Sequence, residues 1–349
     1  MSRRQAAEAV PAARLLADTP TVRRSALAML CLLVAGTALW SLTLGASYIA
    51  MPDALAAVFA FDGSRDHVVV ATLRLPRVLA GLLAGSALAV AGALMQAITN
   101  NPLASPGLLG VNAGAAFAVV VAMALFGGGT SGAHVWFAFG GAGMAAVVVY
   151  ALASFGSGGA TPLKLVLAGT VLSTFLASLT TAILIFDQIT LDDVRLWTAG
   201  SLAGRGMGQI MAIAPYILAG LAAALVFRRH FMTLSLGATV ARSVGQNPIL
   251  WRGLAIVIVV LLSGGAVALA GPIGFVGLVV PHIVRMTVGV DYRWIVPFSA
   301  AGGALLVVLA DMAGRTFFAS QSFPVGVMTA LIGAPFFVWL AQRRAGEAG

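Results

Sequence analysis

The stretch ATLRLPRVLAGLLAGSALAVAGALMQAITNNPLASPGLLGVNAGAA, residues 71–116, decides the fold class of this chain. Arg74 and Arg77 stand at the start of a run of roughly twenty apolar or small residues, which is long enough to cross a bilayer. The run ends in an Asn-Asn-Pro turn at 100–102, and a Pro-Gly pair at 106–107 precedes the next apolar run. The stretch therefore predicts a membrane helix with arginines at one end and a tight polar turn at the other.

The composition of the whole chain gives the same class. Of 349 residues, 60% are hydrophobic and 9% are charged, against roughly 25% charged in soluble domains. A chain this apolar must face lipid. The net charge of +9 does not indicate a nucleic-acid partner, because the basic residues lie in short clusters between apolar runs. The single cysteine, Cys31, lies inside an apolar run, so no disulfide or cysteine-based metal site is expected within the chain.

The apolar runs predict an all-α polytopic membrane protein with about ten transmembrane helices in one domain, residues 26–342. Residues 1–25 are polar and arginine-rich and predict a mobile cytoplasmic tail, and residues 343–349 predict a short cytoplasmic tail. The apolar stretch 274–290 is short, so it predicts a tilted or broken helix buried in protein. The ten predicted spans are 25–47, 75–98, 108–126, 133–155, 163–186, 209–227, 253–270, 274–290, 294–309 and 325–341.

The segments between these spans are short. The first, 51–72, is interpreted as a loop on the outer side, and 187–205 is expected to hold a short interfacial helix. Glycine-rich turns are expected at 127–132 and 156–162. Ten spans place both termini on one side, and that side carries 14 of the 20 basic residues. The positive-inside rule therefore predicts cytoplasmic termini in a multi-pass protein of the plasma membrane.

Five motifs along the chain are LRLPR (73–77), NPLASPGLLGVNAGA (101–115), GPIGFVGLVVPHIVR (271–285), ADMAGR (310–315) and FPVGVMTALIGAPFF (323–337). With these motifs the chain resembles the FecCD family of bacterial ABC importer permeases, which carry ferric siderophores, haem or cobalamin. The resemblance implies a type II ABC importer permease fold in the bacterial inner membrane. It also implies a second permease copy (a homodimer or a close paralogue), a cytoplasmic ATPase subunit dimer, and a periplasmic or lipid-anchored substrate-binding protein.

Three arginines on the predicted outer side, Arg74, Arg77 and Arg315, are the first candidate site. Taken from spacing alone, arginines at the outer end of a membrane helix are interfacial anchors. The resemblance implies instead that they receive acidic residues from the two lobes of the binding protein, a task that bidentate pairing suits. Asp311 lies four residues before Arg315 on the same predicted helix and is expected to hold that arginine in place.

The second candidate site is the inner segment LSLGATVARSVGQN, residues 234–247. Its small residues recur every four positions, which predicts a helix with one smooth face for close approach. The alternative is a surface helix packed on its own loop. The resemblance implies that this segment couples to the ATPase, although Ala238 stands where family members often carry an acidic residue. The expected contact residues are Leu234, Leu236, Gly237, Ala241 and Gly245.

The third candidate site is the translocation pathway. The fifth span is rich in small and hydroxyl-bearing residues, which are equally common in ordinary helix–helix contacts. The resemblance implies that spans five and ten line the pathway of the dimer. A gate is expected near Thr161 and Pro162, with Ser173 and Thr174 lining the path.

The motifs of enzymes are missing from the sequence. It contains no P-loop, no nucleophile elbow, no HExxH and no paired carboxylates on one membrane face, so no catalytic residue, cofactor or metal site is assigned. His282 and Arg285 are likewise given no chemistry. ATP hydrolysis is expected in the partner subunit. The cargo expected from the motifs is a ferric siderophore, with haem and cobalamin as alternatives; the rival class is an ion-coupled secondary transporter, which would need charged groups near the membrane centre.

Overall fold

A computed structural model describes residues 19–45, 47–126, 133–155, 161–318 and 323–347. The first eighteen residues of the predicted tail, the glycine-rich turn at 127–132, residues 156–160 and the last two residues lie outside the described part. Within it every regular element is helical. In chain order the α-helices are α1 (Pro20–Thr43), α2 (Met51–Phe59), α3 (Arg65–Val69), α4 (Leu75–Thr99), α5 (Val111–Phe126), α6 (His134–Ser154), α7 (Pro162–Phe186), α8 (Gln188–Thr198), α9 (Met207–Val226), α10 (Arg228–Ser235), α11 (Ala238–Ser243), α12 (Pro248–Ala270), α13 (Val276–Val288), α14 (Tyr292–Phe317) and α15 (Val325–Glu347).

Seven of these helices, α1, α4, α6, α7, α9, α12 and α14, are long and apolar enough to cross a membrane. Three shorter apolar segments accompany them: α5, α13 and the first part of α15, Val325–Phe336. Each predicted span coincides with one of these ten elements in the described part of the chain. The predicted all-α membrane fold is therefore confirmed.

The region predicted as an outer loop, 51–72, is mostly helical. It contains α2 and α3, and α3 continues through a wide π-helical turn, Val70–Arg74, directly into α4. Pro76 explains the wide turn, because a proline ring clashes with the carbonyl four residues earlier in a regular α-helix. The loop prediction was wrong because the polar residues of this region suggested a break that the backbone does not make.

Four other helices extend beyond their predicted bounds. α1 begins at Pro20, inside the predicted tail, and α15 continues to Glu347. α12 begins at Pro248 rather than near 253, because the Asn247 side chain accepts hydrogen bonds from the backbone N–H groups of Ile249 and Leu250 (3.0 and 3.3 Å) and caps the helix there. α14 continues through Asp311 and Arg315 to its end at Phe317.

α4 lies at the centre of the bundle, where its backbone touches two neighbours. A methyl group on Gly85 would lie 2.3 Å from the carbonyl oxygen of Gly303 in α14. Two turns further along α4, a methyl group on Gly92 would lie 1.8 Å from the carbonyl oxygen of Gly277 in α13. Close backbone approach through small residues is the usual way in which helices associate in lipid, where no hydrophobic force drives them together.

α13 is short and eight of its thirteen residues are buried, in agreement with the buried helix that the sequence predicted for this stretch. It is preceded by Phe275, which adopts a left-handed backbone conformation (φ +66°) that non-glycine residues rarely adopt. The ring of Phe275 lies against Gly333 of α15, where a β-carbon would meet it at 2.5 Å. Packing against α15 therefore holds the broken helix in place.

Replacing Gly92 by alanine tests the central contact. We expect Gly92→Ala to destabilise the protein by about 3 kcal/mol, because the added methyl group would have to displace the Gly277 backbone. Thermal unfolding of the purified protein in detergent measures the loss. Gly140→Ala in α6 is the matched control, since a methyl group there meets nothing within 4 Å. Equal melting temperatures for the two variants would contradict the packing described here.

Candidate docking and transport sites

The two ends of the bundle carry different candidate sites. The arginine end is where α4 begins, and it holds Arg74, Arg77 and Arg315. The coupling end is where α4 terminates, and it holds α10 and α11. At the coupling end the Nδ2 group of Asn100, the residue after α4, donates hydrogen bonds to the backbone carbonyls of Leu234 and Ser235 (3.1 and 2.9 Å).

Arg74 is 5% exposed and binds the end of α1. Its Nη1 donates to the carbonyl oxygen of Leu42 at 2.8 Å, and its Nη2 donates to the carbonyl oxygen of Ser47 at 2.5 Å. Leu42 lies in the last turn of α1, whose carbonyls have no partner within the helix. Arg74 therefore satisfies the carboxyl end of α1 and favours its dipole.

Asp311 joins Arg77 and Arg315 in one buried cluster. Its carboxylate, 4% exposed, accepts hydrogen bonds from Nε of Arg77 (2.9 and 3.1 Å) and forms an ion pair with Nε of Arg315 at 3.0 Å. Arg315 also donates to the carbonyl oxygens of Leu44 (2.9 Å) and Ser41 (3.2 Å) and to the Ser41 hydroxyl. The predicted contact of Asp311 with Arg315 is confirmed, and the cluster ties together α1, α4 and α14.

The three arginines thus have partners inside the chain. They are neither surface anchors nor open cationic pockets, because their guanidinium groups face backbone carbonyls and Asp311. Their predicted contact with acidic residues of a binding protein stays a prediction. Sequence reasoning missed the internal role of Arg74 and the pairing of Arg77 with Asp311, since residues 234 positions apart give no local signal.

A further arginine at the arginine end, Arg205, has no carboxylate partner in the described part of the chain. It lies between α8 and α9, and its Nη2 donates to the carbonyl oxygen of Ser201 at 3.3 Å. Burial lowers the pKa of Arg205 to about 10, so the side chain stays protonated at neutral pH. The exposed Arg65 and Arg195 lie at the same end. These three cations are better placed than Arg74 to accept an external carboxylate.

The coupling segment, residues 234–247, does not form one helix, so the predicted smooth face was wrong. α10 ends before Gly237, which adopts φ +102°, and α11 begins after it. Gly245, at φ +77°, ends α11. Both glycines supply backbone conformations that side chains disfavour, so they mark the turns at the two ends of a short helix rather than its surface.

Two other residues of the predicted contact set face inward. Leu234 is buried, and Ala241 of α11 is fully buried against the rest of the protein. Neither is available to a partner. Leu236 alone, of the five predicted contacts, has a large exposed side chain.

The exposed face of the segment is an apolar triad, Leu236, Val240 and Val244, whose side chains are 57%, 41% and 65% exposed. The three members of the triad are spaced four residues apart, and each directly precedes one of the small residues predicted as contacts, Gly237, Ala241 and Gly245. Sequence reasoning missed Val240 and Val244 because both periodic sets fit one helix equally well. Only the positions of the two turns decide which set faces outward.

α7 is the least buried of the long spans, with 11% of its apolar window inside the described protein, compared with 78% for the continuous span Arg65–Thr99 that contains α4. One side of it bears exposed hydroxyl groups, and each hydroxyl donates to the carbonyl four residues earlier. Because this satisfies the hydroxyl hydrogens within the helix, the face can lie beside apolar or polar neighbours. The exposed hydroxyl residues are Thr170, Thr174, Ser178 and Thr181.

The predicted pathway residues have separate positions in α7. Thr174 belongs to the exposed hydroxyl face, whereas Ser173 is half-buried and lies beside Gly110, 3.6 Å from the position of an added β-carbon. Ser173 is therefore not part of the exposed hydroxyl face, and its role in the pathway stays a prediction. The Thr161 hydroxyl accepts from the backbone N–H of Lys164 (3.4 Å) and Pro162 is the first residue of α7, so both residues form the start of the helix.

Polar groups of α13 serve the interior at the coupling end. Arg285 donates to the side-chain oxygen of Gln96 and to the hydroxyl of Tyr292 at 3.3 Å, and Tyr292 in turn donates to the carbonyl oxygen of Ala93 at 3.0 Å. This network joins α13 and α14 to α4. The residues that the structure describes contain no cluster of three or more His, Cys, Asp or Glu side chains suited to a metal ion.

Comparison with known proteins gives concordant matches over most of the chain. The family model described as the FecCD transport family matches residues 31–343. The Fe(3+)-citrate import system permease protein YfmD of Bacillus subtilis is 44% identical over 303 residues, covering 87% of this chain and 90% of that protein. The ferric enterobactin transport system permease protein FepD of Escherichia coli is 41% identical over 317 residues, covering 90% and 94%.

A solved structure agrees with these sequence matches. It is described as an inward-facing conformation of a metal-chelate type ABC transporter, and it superposes with a TM-score of 0.78 at 29% identity. The superposition covers 92% of this chain and 99% of the solved chain. The similarity therefore extends to the whole membrane domain.

Neutralising Asp311 tests the buried cluster. We expect Asp311→Asn to destabilise the protein by about 3 kcal/mol, because two buried guanidinium groups would then face each other without an anion. The melting temperature in detergent is the readout. Asp53→Asn, a substitution of an exposed carboxylate in α2, is the control with the same change of charge. If the two variants have the same melting temperature, the cluster does not stabilise the arginine end.

Proposed function

The chain belongs to the FecCD transport family, and on that premise we propose that it is the membrane-spanning permease subunit of an ATP-driven iron-chelate importer. A ferric siderophore is the proposed cargo. The relatives described above are permeases of ferric citrate and ferric enterobactin transport, and a third, the iron(3+)-hydroxamate import system permease protein FhuB of Bacillus subtilis, is 44% identical over 91% of this chain. These cargoes share chelated Fe(III) rather than one organic scaffold.

The observation that carries the ATP-driven mechanism is the apolar triad at the coupling end. Leu236, Val240 and Val244 are exposed on a basic segment that lies beyond the spanning helices. Three exposed apolar side chains in one short segment are typical of a protein contact. We assign this face to the ATPase subunit, which hydrolyses ATP; this chain itself is not catalytic.

Asn100 supports a coupling role for the same segment. Its two hydrogen bonds join the end of α4 to the end of α10, so a displacement of α10 by the partner would act directly on the central helix. Gly237 then serves as the turn that presents α11 and the triad, not as a contact. Ala238 lacks the acidic group that the family often places there, so the contact relies on apolar burial.

The pathway is assigned to a two-fold dimer of this permease or of a close paralogue. α7 exposes a hydroxyl-bearing face and has little burial within one copy, which fits a helix beside a second copy and a polar cargo. We retain α7 and α15 as the lining helices and Thr174 as a lining residue. Thr161 and Pro162 stay as the proposed gate, where they begin α7.

The arginine end is assigned to the outside and the coupling end to the cytoplasm. This orientation follows from the basic residues, 14 of 20 of which fall on the coupling side, and it places both termini in the cytoplasm of a bacterial inner membrane. A substrate-binding protein would then dock at the arginine end. Arg65, Arg195 and Arg205 are its proposed new contacts, beside the family positions Arg74, Arg77 and Arg315.

The alternative of an ion-coupled secondary transporter is less well supported. Asp311 is the single carboxylate within the seven long helices of the described chain, and it is paired with two arginines. Such a pair does not readily take up and release a proton during transport. Haem and cobalamin remain alternative cargoes of the same machinery.

The triad is tested by adding charge to it. We expect the double substitution Val240→Asp and Val244→Asp to weaken binding of the purified ATPase subunit by about tenfold or more, because two apolar contacts would be replaced by solvated carboxylates. Binding is measured by titrating the ATPase against permease in nanodiscs. Thr239→Asp, on a neighbouring exposed position outside the triad, controls for charge alone. Full affinity in the double variant would remove the triad from the interface.

The function as a whole is tested by reconstitution. Vesicles that contain this permease, its ATPase and its binding protein should accumulate a radioactive ferric siderophore only when ATP is present on the side of the membrane that carries the ATPase, in the vesicle lumen. Replacing the ATPase by a variant that cannot hydrolyse ATP should abolish accumulation. Uptake that follows a proton gradient without the ATPase would establish the rival class, and selective uptake of haem or cobalamin would change the cargo.

A further inference from the structure

A small cavity lies beside the start of α12 at the coupling end. It has a volume of about 330 Å³ and opens to the surface between α11 and the first turn of α12. Neither the arginine cluster nor the apolar triad forms part of it. The lining residues are Ala238, Arg242, Gln246, Asn247, Pro248, Ile249 and Arg252.

The cavity is cationic and contains no acidic residue. Arg242 and Arg252 both line it, and neither forms an ion pair with a carboxylate in the described part of the chain. Nε of Arg252 is buried and has no hydrogen-bond acceptor among the described residues. Nε of Arg242 donates to the carbonyl oxygen of Ala238 at 3.2 Å. Two guanidinium groups that line one cavity without an anion favour an external ligand with negatively charged oxygen atoms.

The start of α12 does not itself supply this anion site. The backbone N–H groups of Ile249 and Leu250 already donate to the Asn247 side chain, and Pro248 has no N–H group. The Gln246 amide donates to the carbonyl oxygen of His230 at 3.1 Å. The two arginines are therefore the groups that can bind the ligand.

The aromatic residues around the cavity place it at the level of lipid headgroups. Trp251 directly precedes Arg252, and its ring stacks on His230 with 3.6 Å between centroids. The hydroxyl of Tyr150 in α6 lies 3.8 Å from the position that a β-carbon of Gly253 would occupy. Tryptophan and tyrosine concentrate at the boundary between the hydrocarbon and the headgroups.

An apolar track continues from the cavity along α12. Ile249, Gly253 and Val257 recur every four residues, and the side chains of Ile249 and Val257 are exposed. Gly253 adds no side chain to the track between them, where the Tyr150 hydroxyl lies beside it. Cationic groups beside an exposed apolar track match both parts of a phospholipid: the arginines match its anionic headgroup and the track matches its acyl chain. A soluble anion would need only the cationic groups.

The cavity also faces away from the triad. On α11, Ala238 and Arg242 lie one turn apart on the cavity side, and Val240 lies on the opposite side of the helix axis. Val244 follows α11 and is not among the residues that line the cavity. A partner seated on the triad would therefore leave the cavity open to the membrane. We propose that Arg242 and Arg252 bind the phosphate of an anionic phospholipid, whose acyl chain lies along Ile249, Gly253 and Val257.

This proposal is independent of the cargo and of the ATPase. It is tested by native mass spectrometry of the full-length protein released from nanodiscs that contain phosphatidylglycerol and phosphatidylcholine. The wild type should retain phosphatidylglycerol. The double variant Arg242→Gln and Arg252→Gln should bind it roughly thirtyfold more weakly, since each basic residue near an anionic lipid contributes about a factor of five.

The controls distinguish specific lipid binding in the cavity from general electrostatic attraction between basic residues and anionic lipid. Arg293→Gln removes an exposed arginine at the same end but outside the cavity, so it should retain the lipid as the wild type does. Arg242→Gln alone changes an exposed side chain and should fold normally, with about a fivefold loss. Arg252→Lys keeps the positive charge at residue 252, so this variant should keep most of the lipid binding of the wild type.

Four results would overturn the proposal. The first is unchanged lipid retention in the double variant, and the second is an equal loss in Arg293→Gln. The third is displacement of the lipid by millimolar inorganic phosphate, which would assign the cavity to a soluble anion. Loss of ATPase binding with full lipid retention would assign the arginines to carboxylates of the ATPase instead.

Discussion

The contact of the α4 backbone with its neighbours is the constraint on which the rest of the structure depends. Gly85 meets Gly303 and Gly92 meets Gly277 at distances that leave no room for a methyl group. In a bilayer, close approach of this kind replaces the hydrophobic force that would gather helices in water. Because α4, α12 and α14 occupy the centre, helices such as α1 and α7 lie outside and present most of their surface to lipid or to other proteins.

The same central helix links the two ends of the molecule. At the arginine end, Asp311 joins Arg77 of α4 to Arg315 of α14, and Arg74 satisfies the end of α1. At the coupling end, the Asn100 side chain donates hydrogen bonds to two backbone carbonyls at the end of α10. Asn100 and the arginine cluster thus contact opposite ends of one continuous helix, Leu75–Thr99.

The candidate sites differ in how far a local pattern could predict them. The ion pair of Asp311 with Arg315 was predictable because one turn of one helix contains both residues. The partners of Arg74 are carbonyls at the end of α1, and such partners become visible only when two helices are packed. The apolar triad was present in the sequence with the same spacing as the small residues, but the turns at Gly237 and Gly245 decided which set is exposed. Those turns depend on backbone dihedral angles that spacing does not encode.

By itself, the sequence determined the class of the protein, the order of its ten apolar elements and the family motifs, because hydrophobic length and composition act locally along the chain. The tertiary structure alone decided which charges are already paired, which apolar side chains remain exposed, and where two arginines meet without an acidic residue. These properties depend on neighbours from distant parts of the chain. A charged group that the folded protein has left without an oppositely charged partner is better placed to bind a ligand than one that is already paired.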